Sequence, residues 1–223
     1  MPITPKDFSQ QDSPPPFTYN VDISFCLDIS ASSEQLIAIF SQWIITFDES
    51  FKFLMASKGK TVHQLRIRLI TFNCPNEFQS SLVSSDFLST STQQKYVSNI
   101  LRNIKCSGTV NCNVTLDALT EAMHSEWTAQ GERQRHQIVV ITSANDHVSN
   151  TTYNLDEMTD LWEGVTKSQL HSASRRLIMF APDSYPWSEI EDSWPQTVFL
   201  PMELDAKIKE IPNLLLELLS NSI

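Results

Sequence analysis

The chain has 223 residues and a formal net charge of −10, from 26 acidic and 16 basic residues, and 41% of its residues are hydrophobic. This length fits one α/β domain or two small ones, and the hydrophobic fraction is enough for a sizeable core. The acidic balance argues against a general nucleic-acid binder and against docking on an anionic membrane surface. No stretch approaches the ~20 apolar residues of a membrane span. Residues 1–6 lack the apolar core of a signal peptide, so we expect a cytoplasmic protein.

The chain begins with a predicted flexible leader, followed by a strand and a long helix. Residues 1–18 are rich in proline, serine and glutamine, and we expect one domain over residues 19–223. The apolar run at 21–27 predicts a central strand of a parallel sheet. A helix follows, because apolar side chains recur at steps of three and four before Gly59: Leu36, Phe40, Trp43, Phe47, Phe51 and Leu54.

The rest of the chain alternates between strand and helix patterns. Further strands are predicted at 65–72, 138–141, 177–180 and 197–200, with a short edge strand at 77–83. Further helices are predicted at 93–104, at 114–127, after a cap at Asn154, and in the tail, where Pro212 separates a turn from a final helix. This alternation predicts an α/β fold with a Rossmann-like, doubly wound, mainly parallel sheet and helices on both faces.

The most informative motif is Asp28-Ile29-Ser30-Ala31-Ser32, directly after the first predicted strand. Alternate residues of an extended segment point the same way, so its three oxygen side chains could converge on one cation. One carboxylate and two hydroxyls suit Mg²⁺. The other interpretation is that Asp28 accepts hydrogen bonds from backbone N–H groups while the two serines cap the helix.

Three segments resemble the von Willebrand factor A (vWA) domain family. Phe-Cys-Leu-Asp-Ile-Ser-Ala-Ser at 25–32 resembles the first motif of its metal-ion-dependent adhesion site. Ser-Gly-Thr-Val-Asn at 107–111, before the helix 116–123, is similar to the second metal loop. Arg-His-Gln-Ile-Val-Val-Ile-Thr-Ser-Ala at 135–144 looks like the fourth strand and third metal loop. The resemblance implies a six-stranded sheet with one short antiparallel edge strand.

The downstream part of the chain resembles one branch of that family. Arg-Leu-Ile-Met-Phe-Ala-Pro at 176–182, followed by Trp187, looks like a bacterial branch that is often associated with AAA+ ATPases of the MoxR type. The resemblance therefore implies a partner in a multi-protein bacterial system, and such an ATPase is a candidate component of it.

Two of the three loops depart from the family pattern. The family usually has Asp after the Thr that ends the fourth strand, but Thr142 is followed by Ser143, and the nearest acid is Asp146. Six residues before Leu116 lies Val110, which cannot ligate a metal, and a slip of one residue brings in Thr109. Mg²⁺ prefers six oxygen ligands, so this pattern implies a degenerate metal site that is weak or empty. Its candidate ligands are Asp28, Ser30, Ser32, Thr109, Ser143 and Asp146.

These observations predict a non-enzymatic protein-interaction module of vWA type, with no cofactor. The loops at the carboxyl ends of the strands would bind a protein partner, because ligands of parallel sheets bind there. The candidate partner-binding residues are Asp28, Ser30, Ser32, Thr109, Asn111, Ser143, Asp146 and His147. For the last two residues, a solvated loop is the alternative interpretation.

Two other functions remain open. The first is a functional, Mg²⁺-dependent adhesion module with an unusual ligand set. The second is a hydrolase, with Asp28 as a phosphoryl acceptor or with Cys106 or Cys112 paired to His124 as a thiol dyad. Nucleotide-binding glycine motifs and a GxSxG nucleophile elbow are absent from the sequence.

The cysteines and tryptophans allow both a structural and a functional interpretation. Cys106 and Cys112 flank the second loop and could form a disulfide, although a cytosolic chain is usually reduced. Trp187 and Trp194 would be interaction hot spots if they were exposed, or would pack a short helix onto the core.

The only notable basic cluster in the sequence is Arg133, Arg135 and His136. These residues precede a predicted strand, so they lie at the end of the sheet opposite the metal loops. A solvated edge or a second interface would explain them.

Overall fold

One β-sheet runs through the part of the chain that the computed structural model describes, which is residues 17–76, 79–145, 155–164, 174–201 and 208–222. Its strands are β1 (Thr18–Asp28), β2 (Thr61–Asn76), β3 (Gln79–Ser84), β4 (Leu88–Ser89), β5 (Arg133–Ile141), β6 (Arg175–Ala181) and β7 (Thr197–Pro201). The helices are α1 (Glu34–Ser57), α2 (Thr90–Asn103), α3 (Cys112–Met123), α4 (Leu155–Glu163), α5 (Trp187–Ser193) and α6 (Ile211–Asn221). A short 3-10 turn at Ala31–Ser33 precedes α1.

The strand order is β3-β2-β1-β5-β6-β7, and β4 pairs with β2 beside this path. Strands β1, β2, β5, β6 and β7 are parallel, while β3 and β4 pair antiparallel with β2. The predicted mainly parallel sheet with an antiparallel edge strand is therefore confirmed. The expected count of six strands is approximate, since β4 adds a seventh. A two-residue strand leaves no periodic signal in a sequence.

The two faces of the sheet carry separate cores. Along β1 the side chains of Val21, Ile23, Phe25 and Leu27 face α1, α2 and α6, while Cys26 faces the core formed with α3, α4 and α5. This alternation follows from the two-residue period of a strand. Both faces are covered by helices, as a central parallel strand requires.

Helix α1 provides the largest aromatic cluster of the first core. The ring centroids of Phe25 and Phe40 lie 5.8 Å apart, and those of Phe25 and Phe47 lie 6.2 Å apart, both in edge-to-face geometry. Such pairs add about 0.5–1.5 kcal/mol beyond their buried area. The helix is thus held firmly against β1, whose last residue begins the candidate site.

The C-terminal half agrees with the predicted packing. Trp187 and Trp194 are 0% and 3% exposed, and α5 packs against the second core, so the hot-spot interpretation is wrong and the packing interpretation is confirmed. Helix α6 begins at Ile211 with Pro212 in its first turn, as predicted. Asn154 and residues 1–16 lie outside the described residues. None of the helices that the structure describes is long and apolar enough to cross a membrane.

We predict that Phe51→Ala lowers the free energy of unfolding by about 3–5 kcal/mol, because it leaves a cavity in the first core beside the Phe47 ring. Phe51 is 0% exposed, whereas Phe53 on the same helix is 77% exposed. Phe53→Ala is therefore the matched control and should change stability by less than about 0.5 kcal/mol. Urea denaturation followed by tryptophan fluorescence measures the free energy of unfolding of both variants. Equal decreases in the two variants would contradict this placement of α1.

Candidate functional site: a hydroxyl-lined rim at the carboxyl end of the sheet

The loops after β1 and before α3 are joined by backbone hydrogen bonds. Ile29 N donates to Phe72 O at 2.9 Å, which extends the pairing of β1 and β2 beyond Asp28. Ala31 N donates to Gly108 O at 3.1 Å, and Ser107 N donates to Ile29 O at 3.0 Å. The first two predicted loops therefore form one continuous edge.

The Asp28 carboxylate lies at the centre of this edge and is 0% exposed. Its Oδ1 accepts a hydrogen bond from Ser30 N at 2.7 Å. Its Oδ2 accepts two, from Ser143 N at 3.0 Å and from Ser143 Oγ at 2.7 Å. A buried charge is costly unless it is paired or hydrogen-bonded, and here neutral donors from two loops satisfy both oxygens.

A row of hydroxyl groups connects this carboxylate to the surface. Ser143 Oγ lies 3.3 Å from Ser32 Oγ, and Ser32 Oγ lies 3.0 Å from Ser30 Oγ. Ser30 is buried, Ser143 is half-buried and Ser32 is exposed. The structure thus brings Asp28, Ser30, Ser32 and Ser143 together. Neither Ser30 nor Ser33 uses its side chain to cap the helix that follows.

The two candidates on the second loop serve the scaffold. Thr109 pairs with Cys74 through its backbone, with N–O distances of 2.7 and 2.9 Å, and its side chain is exposed. Asn111 Oδ1 accepts from Val114 N at 2.9 Å and so caps α3. Its Nδ2 donates to Cys74 Sγ at 3.3 Å. No hydrogen bond joins either side chain to the Asp28 group among the described residues.

Two residues that the sequence analysis did not single out hold the loops in place. Thr142 is 0% exposed, and its Oγ1 lies 3.2 Å from Thr115 Oγ1 and accepts from Ala144 N at 3.1 Å. This contact turns the chain after β5 so that Ser143 faces Asp28. Asn73 Nδ2 donates to Ser107 O at 2.7 Å and ties the second loop to β2. A polar residue directly after an apolar strand is the available sequence signal, but its partner is not visible there.

The third loop is described only as far as Asn145. Asp146 and His147, the two remaining candidates, lie outside the described residues.

The described side chains do not fit a resident Mg²⁺ ion. Asp28 is the only carboxylate of the group, and both of its oxygens already accept hydrogen bonds. Within the described ranges no group of three or more His, Cys, Asp or Glu side chains could hold a metal. Mg²⁺ requires nearly octahedral oxygen ligands, and the hydroxyls of Ser30, Ser32 and Ser143 supply only neutral ones.

The pairing of Cys112 with His124 considered above is not assembled. Cys112 begins α3 and His124 follows its last residue, so about 18 Å of helix separates them at 1.5 Å per residue. Burial, with Glu34 and Asp28 nearby, raises the pKa of the Cys106 thiol and so disfavours the thiolate. All four cysteines are free thiols, so Cys106 and Cys112 are not joined in a disulfide.

Comparison with known proteins places this architecture in a fold class. No protein-family profile and no curated protein sequence matches the chain. Among solved structures, a von Willebrand factor type A protein from Catenulispora acidiphila superposes with a TM-score of 0.54 at 12% identity, over 92% of this chain and 43% of that one. The pilus adhesin SpaC from Lactobacillus rhamnosus GG gives a TM-score of 0.55 at 12% identity, over 91% of this chain and 31% of that one.

A third similar structure is a point mutant of the PilB minor pilin from Streptococcus sanguinis, with a TM-score of 0.55 at 10% identity, over 90% of this chain and 61% of that one. The chain therefore spans less than two thirds of the length of each of these proteins. At such low identity the likeness establishes the fold alone: the chain has a vWA-type fold, as its sequence predicts.

We predict that Gly108→Ala destabilises the rim more than Gly59→Ala does. Both glycines have positive φ, +68° and +71°, so each alanine costs about 1–2 kcal/mol in backbone strain. A Cβ at Gly108 would lie 2.1 Å from Cys74 O, whereas at Gly59 no atom lies within 4 Å. Thermal unfolding should show that Gly108→Ala lowers the free energy of unfolding by about 1–3 kcal/mol more than Gly59→Ala does. Equal losses would mean that the second loop does not pack closely on β2.

Proposed function

We propose that the chain is a non-enzymatic protein-interaction module that binds its partner through the rim defined by Ser30, Ser32 and Ser143, with a metal site that is weak or empty. The observation that carries this proposal is the set of three hydrogen bonds that the buried Asp28 carboxylate accepts from Ser30 N, Ser143 N and Ser143 Oγ. The rim is ordered by these bonds, so it needs no cation to neutralise the buried charge.

The chemistry of the rim supports recognition by hydrogen bonding and shape. Hydroxyl groups both donate and accept, so the exposed Ser32 can exchange hydrogen bonds with a partner's backbone or side chains. Asp28 is 0% exposed and contributes by positioning, since it cannot touch a partner directly. The similar structures are also consistent with interaction, because they include an adhesin and a minor pilin.

The proposed partner system rests on the sequence, and the proposed compartment rests on the cysteines. The resemblance of residues 176–182 and Trp187 to a bacterial, MoxR-associated branch favours a partner in a multi-protein system with an AAA+ ATPase. This step is an analogy within the fold class. The four free thiols suit a reducing compartment and therefore the cytoplasm.

The competing functions depend on groups that the structure holds apart or buries. A phosphoryl acceptor must present a free carboxylate oxygen to its substrate, but Asp28 is 0% exposed and both oxygens are hydrogen-bonded. An Mg²⁺-dependent adhesion module needs a carboxylate where Ser143 stands. A hydrolase activity lost on Asp28→Ala would support the first alternative against our proposal.

We predict that Mg²⁺ leaves the thermal midpoint of the wild-type chain unchanged but raises that of Ser143→Asp. The new carboxylate would lie against Asp28, so the two like charges destabilise the variant until a divalent ion binds between them. Ser143→Asn, which has the same shape without the charge, is the matched control and should not respond to Mg²⁺. Mg²⁺-dependent stabilisation of the wild type would instead favour the adhesion module.

We predict that Ser32→Tyr abolishes capture of the partner while leaving the fold intact. Ser32 is exposed on the rim, so a bulky ring there blocks an approaching surface without disturbing the core. Ala129→Tyr is the matched control, because Ala129 is exposed in the loop before β5 at the opposite end of the sheet. Quantitative cross-linking in the native cells, followed by mass spectrometry, compares the two variants with the wild type. If the proteins cross-linked to the wild type are recovered with both variants, or with neither variant, the rim is not the interface.

A further inference from the structure

A group of cations lies at the amino end of the sheet, far from the rim. Arg133 and Arg135 on β5 and Arg176 on β6 point to the same face of the sheet as α1 and α6, because Gln137 pairs with Arg176 and alternate residues share a face. We call these three residues the amino-end arginine patch. At ~3.3 Å per residue, Arg133 lies roughly 26 Å from the end of β5 at Ile141, and Arg176, which pairs with Gln137, roughly 13 Å from it.

Within the part of the chain that the structure describes, no carboxylate forms an ion pair with the patch. The ion pairs among the described residues are Lys52–Asp48, Arg66–Asp22 and Arg68–Glu121. Their hydrogen bonds to other described residues all go to neutral atoms: Arg133 Nη1 donates to Tyr19 Oη at 3.1 Å, Arg135 Nη1 to Gln134 O at 2.8 Å, and Arg176 Nη1 to Arg175 O at 2.6 Å and to Gln196 Oε1 at 2.7 Å. Arg135 Nε is buried without a hydrogen-bond partner.

The electrostatic setting of the patch is unfavourable in the isolated chain. Burial and the neighbouring Arg135 lower the pKa of the Arg176 guanidinium. Arg175, on the other face of the sheet, is 4% exposed, and its Nε and Nη1 have no hydrogen-bond partner. The two faces therefore differ: Glu163 favours the charged form of Arg175, which stacks on Trp162, whereas Arg135 and Arg176 form no ion pair with any described residue.

The patch continues towards α1 through the last turn of α6. Gln137 Nε2 donates to Leu219 O at 2.9 Å, and Lys58 Nζ donates to Ser220 Oγ at 2.7 Å. Since Leu219 and Ser220 are consecutive, the exposed Lys58 lies beside the patch. The partial negative charge at the end of α6 favours Lys58 but is too small to neutralise the three arginines.

Aromatic surface borders the same cations. The Arg133 guanidinium lies 3.4 Å from the centroid of the Phe17 ring, and Phe17 is 56% exposed. Stacked guanidinium groups keep their edges free for bidentate contacts with carboxylates.

We propose that the amino-end arginine patch binds an acidic peptide segment of a protein partner. Carboxylates of such a segment would form charge-assisted hydrogen bonds with Arg135 and Arg176, and an apolar side chain would pack on Phe17. A nucleic acid fits less well, because three arginines form no extended basic stripe along which a long phosphate backbone could bind. This surface is separate from the rim, so it does not depend on the function proposed for the rim.

A fluorescein-labelled hexaglutamate peptide tests the proposal by fluorescence anisotropy with the full chain. We expect the double variant Arg135→Gln, Arg176→Gln to weaken binding by about tenfold, since two charge-assisted contacts are lost. The double variant Arg102→Gln, Lys105→Gln removes the same charge from exposed positions at the end of α2 and should weaken binding by less than about twofold. Equal weakening in both variants, or no binding by the wild type, would overturn the proposal.

Carbodiimide cross-linking of the same peptide to the wild type locates the site without relying on a variant. The expected product joins a glutamate of the peptide to Lys58, and a cross-link predominantly at Lys105 would overturn the proposal. Tighter binding of a single-stranded oligonucleotide of equal charge would overturn it in favour of a nucleic acid. Ser32→Tyr should bind hexaglutamate as the wild type does, which separates this surface from the rim.

Discussion

The contact between Asp28 and Ser143 holds the carboxyl end of this sheet together. A buried carboxylate at the end of β1 must find partners, and it finds them in the backbone and side chain of the first residues after β5. Because β1 lies between β2 and β5, this contact fixes the loop after the central strand relative to both neighbours. The arrangement of Ser30 and Ser32, and with it the shape of the rim, follows from the position of that one charge.

The sequence predicted the scaffold well because burial on a sheet and on its covering helices leaves a periodic pattern. Val21, Ile23, Phe25 and Leu27 had to share one face, and the recurring apolar residues of α1 had to cover it. The short β4 could not be foreseen, since its pairing with β2 depends on where the intervening chain folds back. Element ends were less predictable, and α2 begins at Thr90, three residues before the predicted start.

The candidate site was predictable only in part. The motif from Asp28 to Ser32 indicated a clustered set of oxygens, and the serine at 143 indicated a lost carboxylate. The sequence did not reveal that Ser143 donates a hydrogen bond to Asp28, because the two residues are 115 positions apart in the chain. Likewise, Asn111 looked like a binding residue but caps α3, since a side chain at a helix start can serve either purpose. The two ends of the sheet consequently differ in chemistry: neutral hydroxyls line one, and the other carries Arg133, Arg135 and Arg176, which form no ion pair with a described residue.

The parallel pairing of β1 with β5 also has a consequence for how the chain folds. Strand β1 can pair with β2 early, but its other neighbour begins only at Arg133, after α1, α2 and α3 have been made. Closing so large a loop is slow compared with local pairing. Until β5 has paired, the Asp28 carboxylate lacks its two bonds from Ser143 and has to stay hydrated, so the edge on which recognition is expected to take place becomes dry only after this long loop has closed.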